Sequence, residues 1–138
     1  MKNKVKDQMV TENYAIYNGD CMDVITTLAD ESIDLSVYSP PFAGLYNYSS
    51  SEKDFSNCGT KEEFINQYEY LIKEMSRVTK PGRINVVHCQ DILTDTTAHI
   101  LYDFPHEIIK LHKKYGFNLH NRITIWKEPL EVRMRTMV

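Results

Sequence analysis

At 138 residues, with 42% hydrophobic and 25% charged side chains, the chain has the size and composition of one ordinary domain able to bury a core. No apolar run reaches membrane-spanning length, and the opening Met1-Lys2-Asn3-Lys4-Val5-Lys6-Asp7 is a charged lead without the apolar stretch of a signal peptide, so a cytoplasmic protein is expected. The net charge of −3 excludes nucleic-acid binding by bulk electrostatics alone, and Cys21, Cys58 and Cys89, far apart and without a C-x-x-C pair, predict reduced thiols and no metal site.

Tyr14 to Asn18 is a short β-prone run closed by Gly19-Asp20, and Asp20 is placed to cap a helix that carries Cys21, Val24, Ile25 and Leu28 on one face. Ile33 to Tyr38 is a second β-branched run. Ser39-Pro40-Pro41 ends it, since proline cannot donate to a sheet ladder and restricts the residue before it. Residues 43 to 59, rich in Ser, Asn, Tyr and Gly, read as a functional loop. Thr60 and Glu63 form a capping box for a helix whose Phe64, Ile65, Tyr68, Leu71, Ile72, Met75 and Val78 recur at helical spacing until Pro81-Gly82. Arg83 to Cys89 reads as a buried strand and Gln90 to Asp103 as a polar connection. A further helix begins near Pro105 and closes at Gly116, and Phe117 to Trp126 alternates as a last strand. Strands separated by helices predict an α/β fold with a mostly parallel sheet.

In open α/β sheets ligands bind beyond the carboxyl ends of strands, where Gly19-Asp20-Cys21 and Ser39-Pro40-Pro41-Phe42 are expected. The second set combines a side-chain oxygen, two prolines that stiffen the backbone, and an aromatic ring. Such a platform suits accepting hydrogen bonds from an amino group while stacking on the flat ring that bears it. An exocyclic base amine is a weak nucleophile because its lone pair is delocalised. Two acceptors aimed at its hydrogens localise that pair by electrostatic preorganisation, and the aromatic ring offsets part of the cost of unstacking the base. A Pro-Pro exit from a strand also serves as a plain stiff turn, so the tetrapeptide alone leaves both readings open.

The order and spacing of several blocks go further. Asn18-Gly19-Asp20-Cys21, then Asp34-Leu35-Ser36-Val37-Tyr38 and Ser39-Pro40-Pro41-Phe42, resemble the opening of the β-class DNA amino-methyltransferases, the cytosine-N4 and adenine-N6 enzymes. The helix end Arg77-Val78-Thr79-Lys80-Pro81-Gly82, the strand Arg83 to His88, and Asn121 to Pro129 resemble that family's succeeding blocks, so the similarity spans about residues 14 to 129. The resemblance implies a partial class I, Rossmann-like methyltransferase sheet with helices on both faces and several strands missing. It implies that Ser39 through its hydroxyl and Pro40 through its carbonyl accept from the target amine, with Pro41 stiffening the turn and Phe42 stacking on a base flipped from double-stranded DNA. Asp20, with Cys21 beside it, matches the acidic position that borders the adenine of S-adenosylmethionine, and helix capping is its alternative role. Serine in the first motif position is more like the cytosine-N4 enzymes, and adenine stays open. His88 reads as a core histidine rather than a base; Tyr46, Tyr48, Lys127, Arg133 and Arg135 are weaker candidates for DNA contact.

The family's cofactor turn, F-x-G-x-G, has no counterpart, because Gly19, Gly44, Gly59, Gly82 and Gly116 are all far apart. The S-adenosylmethionine pocket is therefore expected to be incomplete, and residues 1–138 to be the amino-terminal portion of one catalytic domain. The strand at residues 14–18 is expected to lack its usual neighbours. It would then re-pair with Asp34 to Tyr38, stay loose, or associate with a complementary chain or another copy. Three functions follow: a DNA methyltransferase, a non-catalytic split half that binds a complementary polypeptide, and methylation of RNA or a protein amide.

Overall fold

A computed structural model describes residues 5–41, 48–50, 54–95, 97 and 100–130. Its organising element is the long helix α2, Lys61–Val78, preceded by a single 3-10 turn at Phe55–Asn57. Thr60 accepts from the Glu63 backbone N–H at 3.1 Å, and the Glu63 carboxylate reaches back to the Gly59 N–H at 2.8 Å. The reciprocal cap thus extends one residue further out than the box predicted. Phe64, Tyr68, Ile72, Met75 and Val78 are buried along one stripe, as their 3.6-residue spacing dictates.

Two shorter helices pack beside it. α1, Cys21–Ile25, is capped by Asp20, whose Oδ1 accepts from Met22 N–H at 2.8 Å. Its carboxyl end is held by Arg77, which donates to the carbonyls of Ile25 (3.0 Å) and Leu28 (2.8 Å) while pairing with Asp30 and Glu74. α3, Phe104–Lys114, starts at the Asp103 cap with Pro105 in its first turn and ends in the positive-φ residue Gly116, as predicted. One core joins α2 and α3 through Phe64, Tyr68, Ile72, Ile92, Phe104, Ile108 and Leu111. A second joins α1 and α2 through Ile25, Met75 and Val78, and Tyr38, Leu71 and Phe117 pack against both.

The strands β1 (Val5–Val10), β2 (Ala15–Gly19), β3 (Ile33–Tyr38), β4 (Thr79–Val87), β5 (Ile92–Asp95) and β6 (Ile100–Tyr102) form three two-stranded sheets among the described residues. β3 and β4 pair in parallel, with Leu35 opposite Ile84 and Tyr38 opposite Val87. Between the pairs Ile33↔Thr79 and Leu35↔Ile84, residues 80–83 bulge out, turning at Gly82 (φ 75°). Asp34 holds that bulge by ion pairs to Lys80 (2.6 Å) and Arg83 (3.0 Å).

The architecture is mixed α/β, and four expectations are corrected. The segment 14–18 is neither loose nor paired with β3: β2 forms an antiparallel hairpin with β1, from the stretch read as a charged lead. The Thr11 side chain accepts from the Asn13 and Tyr14 N–H groups and so closes the turn locally, and the cross-strand ladder then tolerates the polar residues of β1. The polar connection holds a second hairpin, β5 with β6, whose strands are too short to show a period. Phe117 to Trp126 forms no strand, and Ile123, Ile125 and Trp126 are exposed; an alternating pattern makes a strand only when it pairs with a partner strand, and this stretch pairs with none among the described residues. Among the described residues helices cover one face of β3–β4, not two: Ile33, Tyr38 and Val87 pack into the core, whereas Leu35, Val37, Ile84 and Val86 are exposed on the other side.

Candidate functional site

The site is built at the carboxyl end of β3. Past Tyr38 the parallel ladder continues for one more bond, His88 N–H to Tyr38 O at 2.9 Å. The chain then leaves the sheet through Ser39, exposed, and Pro40, buried, with Pro41 half-buried after it. Ser39 Oγ donates to the carbonyl of His88 at 3.0 Å. The main chain of one residue on β4 thus grips the exit twice, once at the Tyr38 carbonyl and once at the Ser39 hydroxyl. A hydroxyl has a single proton, and with that proton directed at His88 O its lone pairs are left facing other directions as acceptors. Phe42 and Tyr46 lie outside the described residues.

Below the exit, the Tyr38 side chain enters the core between α2 and α3. Its Oη lies 3.0 Å from His112 Nε2 and 3.2 Å from the hydroxyl of Tyr68, and His112 Nδ1 lies 2.7 Å from the Ile108 carbonyl. A carbonyl only accepts, so Nδ1 carries the proton, Nε2 accepts from Tyr38, and Tyr38 in turn accepts from Tyr68. Burial pushes the Tyr38 phenol up to about 12, pushes Tyr68 up as well, and lowers His112, so all three groups stay neutral near neutral pH. The buried side-chain amide of Asn85 lies near the Tyr38 hydroxyl, and neither its nitrogen nor its oxygen meets the distance and angle of a hydrogen bond to any described residue.

The other sequence-predicted positions fall elsewhere. Asp20 and Cys21 stand at the end of β2, which pairs with β1 and shares no sheet with β3 among the described residues. Asp20 caps α1, the alternative role its sequence position allowed. Cys21 is exposed as a residue, yet the surrounding chain shields its sulfur from water and the Asp20 charge adds to that, so its thiol is pushed up and stays protonated. His88 is exposed rather than part of the core, and its main chain touches the site. Tyr48 is exposed, with its N–H donating to Ser56 Oγ at 3.1 Å; Lys127 is exposed, and Arg133 and Arg135 lie outside the described residues. Sequence reasoning missed His88 O and the Tyr38–His112 pair. A main-chain acceptor leaves no residue signature, and Tyr38 and His112 lie 74 residues apart.

A family model described as DNA methylase, for N6 and N4 methyltransferases, matches residues 33–135, three quarters of the chain. The chain belongs to this DNA methylase family. The chain is 31% identical over 114 residues to the type II methyltransferase M.BglII of Bacillus subtilis, a match covering 83% of the chain and 29% of that protein. It is 27% identical over 115 residues to the type II methyltransferase M.PvuII of Proteus hauseri, covering 83% of the chain and 32% of that protein. The chain therefore spans about a third of the length of these curated relatives. In fold it is similar to TTHA0409 of Thermus thermophilus, provisionally assigned as a DNA modification methylase and solved in complex with S-adenosyl-L-methionine. That match has a TM-score of 0.55 and 20% identity, and covers 79% of this chain and 48% of that one.

Gly82 and Gly116 take positive φ at chain reversals with open space where a Cβ would stand, and the nearest atom to a Cβ at Gly59 is Glu63 Oε2 at 3.4 Å. No group of His, Cys, Asp and Glu among the described residues could hold a metal ion, and no helix there is long and apolar enough to cross a membrane.

Proposed function

We propose that this DNA methylase presents the acceptor side of a site-specific methyl transfer, gripping the exocyclic amine of a base flipped out of double-stranded DNA, cytosine N4 or adenine N6. The observation that carries the reading is the Ser39 hydroxyl donating to His88 O at the end of β3. It leaves Ser39 Oγ to act as an acceptor, and the Pro40 carbonyl is the second acceptor in the scheme. Two acceptors on the two amine hydrogens draw the nitrogen toward tetrahedral geometry and localise its lone pair, so that no general base is required before attack. Phe42 stacks on the extruded ring, and Pro41 limits the freedom of the turn that carries it.

S-adenosylmethionine, when bound, supplies the electrophilic methyl group. The family resemblance puts Asp20 and Cys21 at its border, and the rest of its pocket belongs to segments other than the described residues. Action on DNA places the work of the protein in the cytoplasm, and the relatives that are type II methyltransferases are of the restriction–modification kind. The test is transfer of labelled methyl from S-adenosylmethionine to DNA, by a preparation that contains these residues, followed by analysis of the modified base. The reading expects N4-methylcytosine or N6-methyladenine and loss of transfer when Ser39 and Phe42 are both changed to alanine. Undiminished transfer by the double variant, or label found only on RNA or protein, overturns it.

A second reading is favoured by one observation. The aliphatic face made by Leu35, Val37, Ile84 and Val86 is exposed, although parallel sheets are ordinarily covered on both sides. In this reading the chain is a split half that works, or is merely stable, on association with a complementary polypeptide seated on that face.

A further inference from the structure

We propose that Tyr68, Tyr38 and His112 form a buried tether that sets the exit of β3, which makes Tyr38 and His112 positioning residues for the acceptor site. The tether rests on the reading above only for what the exit is used for; its geometry stands independently. Tyr38 is the last residue of β3, and successive strand residues point to opposite faces, so its ring is anchored in the core while the next side chain, Ser39, is turned the other way. Three hydrogen bonds running in one direction hold that ring: Tyr68 Oη to Tyr38 Oη, Tyr38 Oη to His112 Nε2, and His112 Nδ1 to Ile108 O.

Each member comes from a different element: Tyr68 from α2, Tyr38 from β3 and His112 from α3. The end of the strand is therefore fixed against both helices at once. The Tyr68 and Phe117 rings flank the imidazole, with centroids 6.4 and 5.5 Å away, so His112 has little room to turn. Nothing in the core requires the Tyr38 oxygen for packing, since a phenylalanine ring would occupy the same place. What the oxygen adds is direction. It fixes the position and tilt of Tyr38 along the strand axis, and with them the carbonyl that receives His88 N–H and the hydroxyl of Ser39 that donates to His88 O.

The experiment compares Tyr38→Phe, His112→Leu and His112→Gln by amide hydrogen exchange resolved residue by residue. Tyr38→Phe and His112→Leu are expected to raise the exchange rate of the His88 amide on the order of tenfold while leaving Ile72 in α2 within about twofold. His112→Gln, whose side-chain oxygen can stand where Nε2 accepts, restores the His88 rate. The double variant Tyr38→Phe/His112→Leu is no worse than either single change, as expected for two ends of one bond. Unchanged exchange at His88, equal acceleration at Ile72, or a glutamine variant that behaves like leucine overturns the tether. Should His112→Leu fail to fold, Tyr38→Phe, which removes a single oxygen, decides the matter.

In a preparation that methylates DNA, the same variants lower the transfer rate at saturating substrate on the order of tenfold with KM nearly constant. Unchanged transfer alongside faster His88 exchange overturns the positioning role. Absence of transfer by the unaltered protein counts against the function proposed above, and the exchange result still decides the tether.

Discussion

In the proposed site, Ser39 is left to accept because of a bond it donates. The hydroxyl proton is committed to His88 O, so replacing the serine should matter through its oxygen and not through its volume. Ser39→Ala is expected to slow methyl transfer on the order of 100-fold, the lower end of the range for removing one preorganised polar group at a reacting centre, and Ser39→Thr, which keeps the hydroxyl, to retain most of the rate. Single-turnover assays with labelled donor compare the two. His112 supplies a second residue-scale expectation. Folding buries it as the neutral ring, and burial lowers its pKa below the ordinary value of about 6.5. The unfolded chain therefore takes up a proton first as pH falls. The contribution of His112 to stability is fully present above about pH 6.5 and is lost as pH drops through that value toward the lowered native pKa. Tyr38 and Tyr68, which face it from β3 and α2, remain neutral throughout that window. Urea midpoints measured from pH 8 to pH 5 should fall with pH, and His112→Gln should flatten that slope.

Among the elements, α2 was the most legible, because its capping residue, its apolar stripe and its stop all agree. Its cap and its core contacts differ in strength and can be measured apart. Thr60→Ala removes the side-chain cap on the Glu63 N–H and is expected to cost about 0.5–2 kcal/mol, whereas Phe64→Ala opens a cavity in the core beside Tyr68 and Phe104 and is expected to cost about 3–5 kcal/mol. Thermal or urea unfolding of the two variants checks the order. The strands were legible in proportion to their burial on one face. β3, with β-branched residues and a proline stop, read correctly; β4 was placed too late and as a buried strand, whereas it runs from Thr79, directly after α2, to Val87, and none of its residues from Arg83 onward is buried. β1 was missed, because Lys6, Asp7 and Gln8 conceal any alternation, and its pairing depends on the Thr11 turn and on the complementary edge of β2. The stretch 117–126 shows the opposite error: its pattern is that of a strand, and among the described residues it pairs with none of the three sheets.

For the molecule as a whole, the distribution of apolar surface is the main feature. α2 and α3 cover one side of the parallel pair, and the other side leaves Leu35, Val37, Ile84 and Val86 in water, with Met9, Ile16 and Trp126 exposed elsewhere. If that face receives another polypeptide, charge placed on it should abolish association without disturbing the core. Val37→Glu with Val86→Glu is expected to leave the urea midpoint nearly unchanged, as for surface substitutions, while lowering binding of a complementary methylase segment at least tenfold. Sedimentation or titration calorimetry with that segment measures it. Equal binding by the altered and unaltered chains would remove the face from consideration.

Family membership was already visible in the sequence, since a run of motifs in fixed order is a property of the chain itself: Asp20 before a short helix, Ser39-Pro40-Pro41-Phe42 after a strand, and the Pro81-Gly82 stop. The limits of α2 and α3 were legible for the same reason, because caps and 3.6-residue periodicity act between near neighbours, whereas α1 ends at Ile25, short of the Leu28 expected on its face. Tertiary structure alone decided which strand pairs with which, that helices cover a single sheet face, that His88 contributes its backbone, and that Tyr38 meets His112 across 74 residues of chain. Those are contacts between distant segments. A hydrogen bond to a carbonyl or across a core depends on where the backbone has been brought, which no local pattern of side chains encodes.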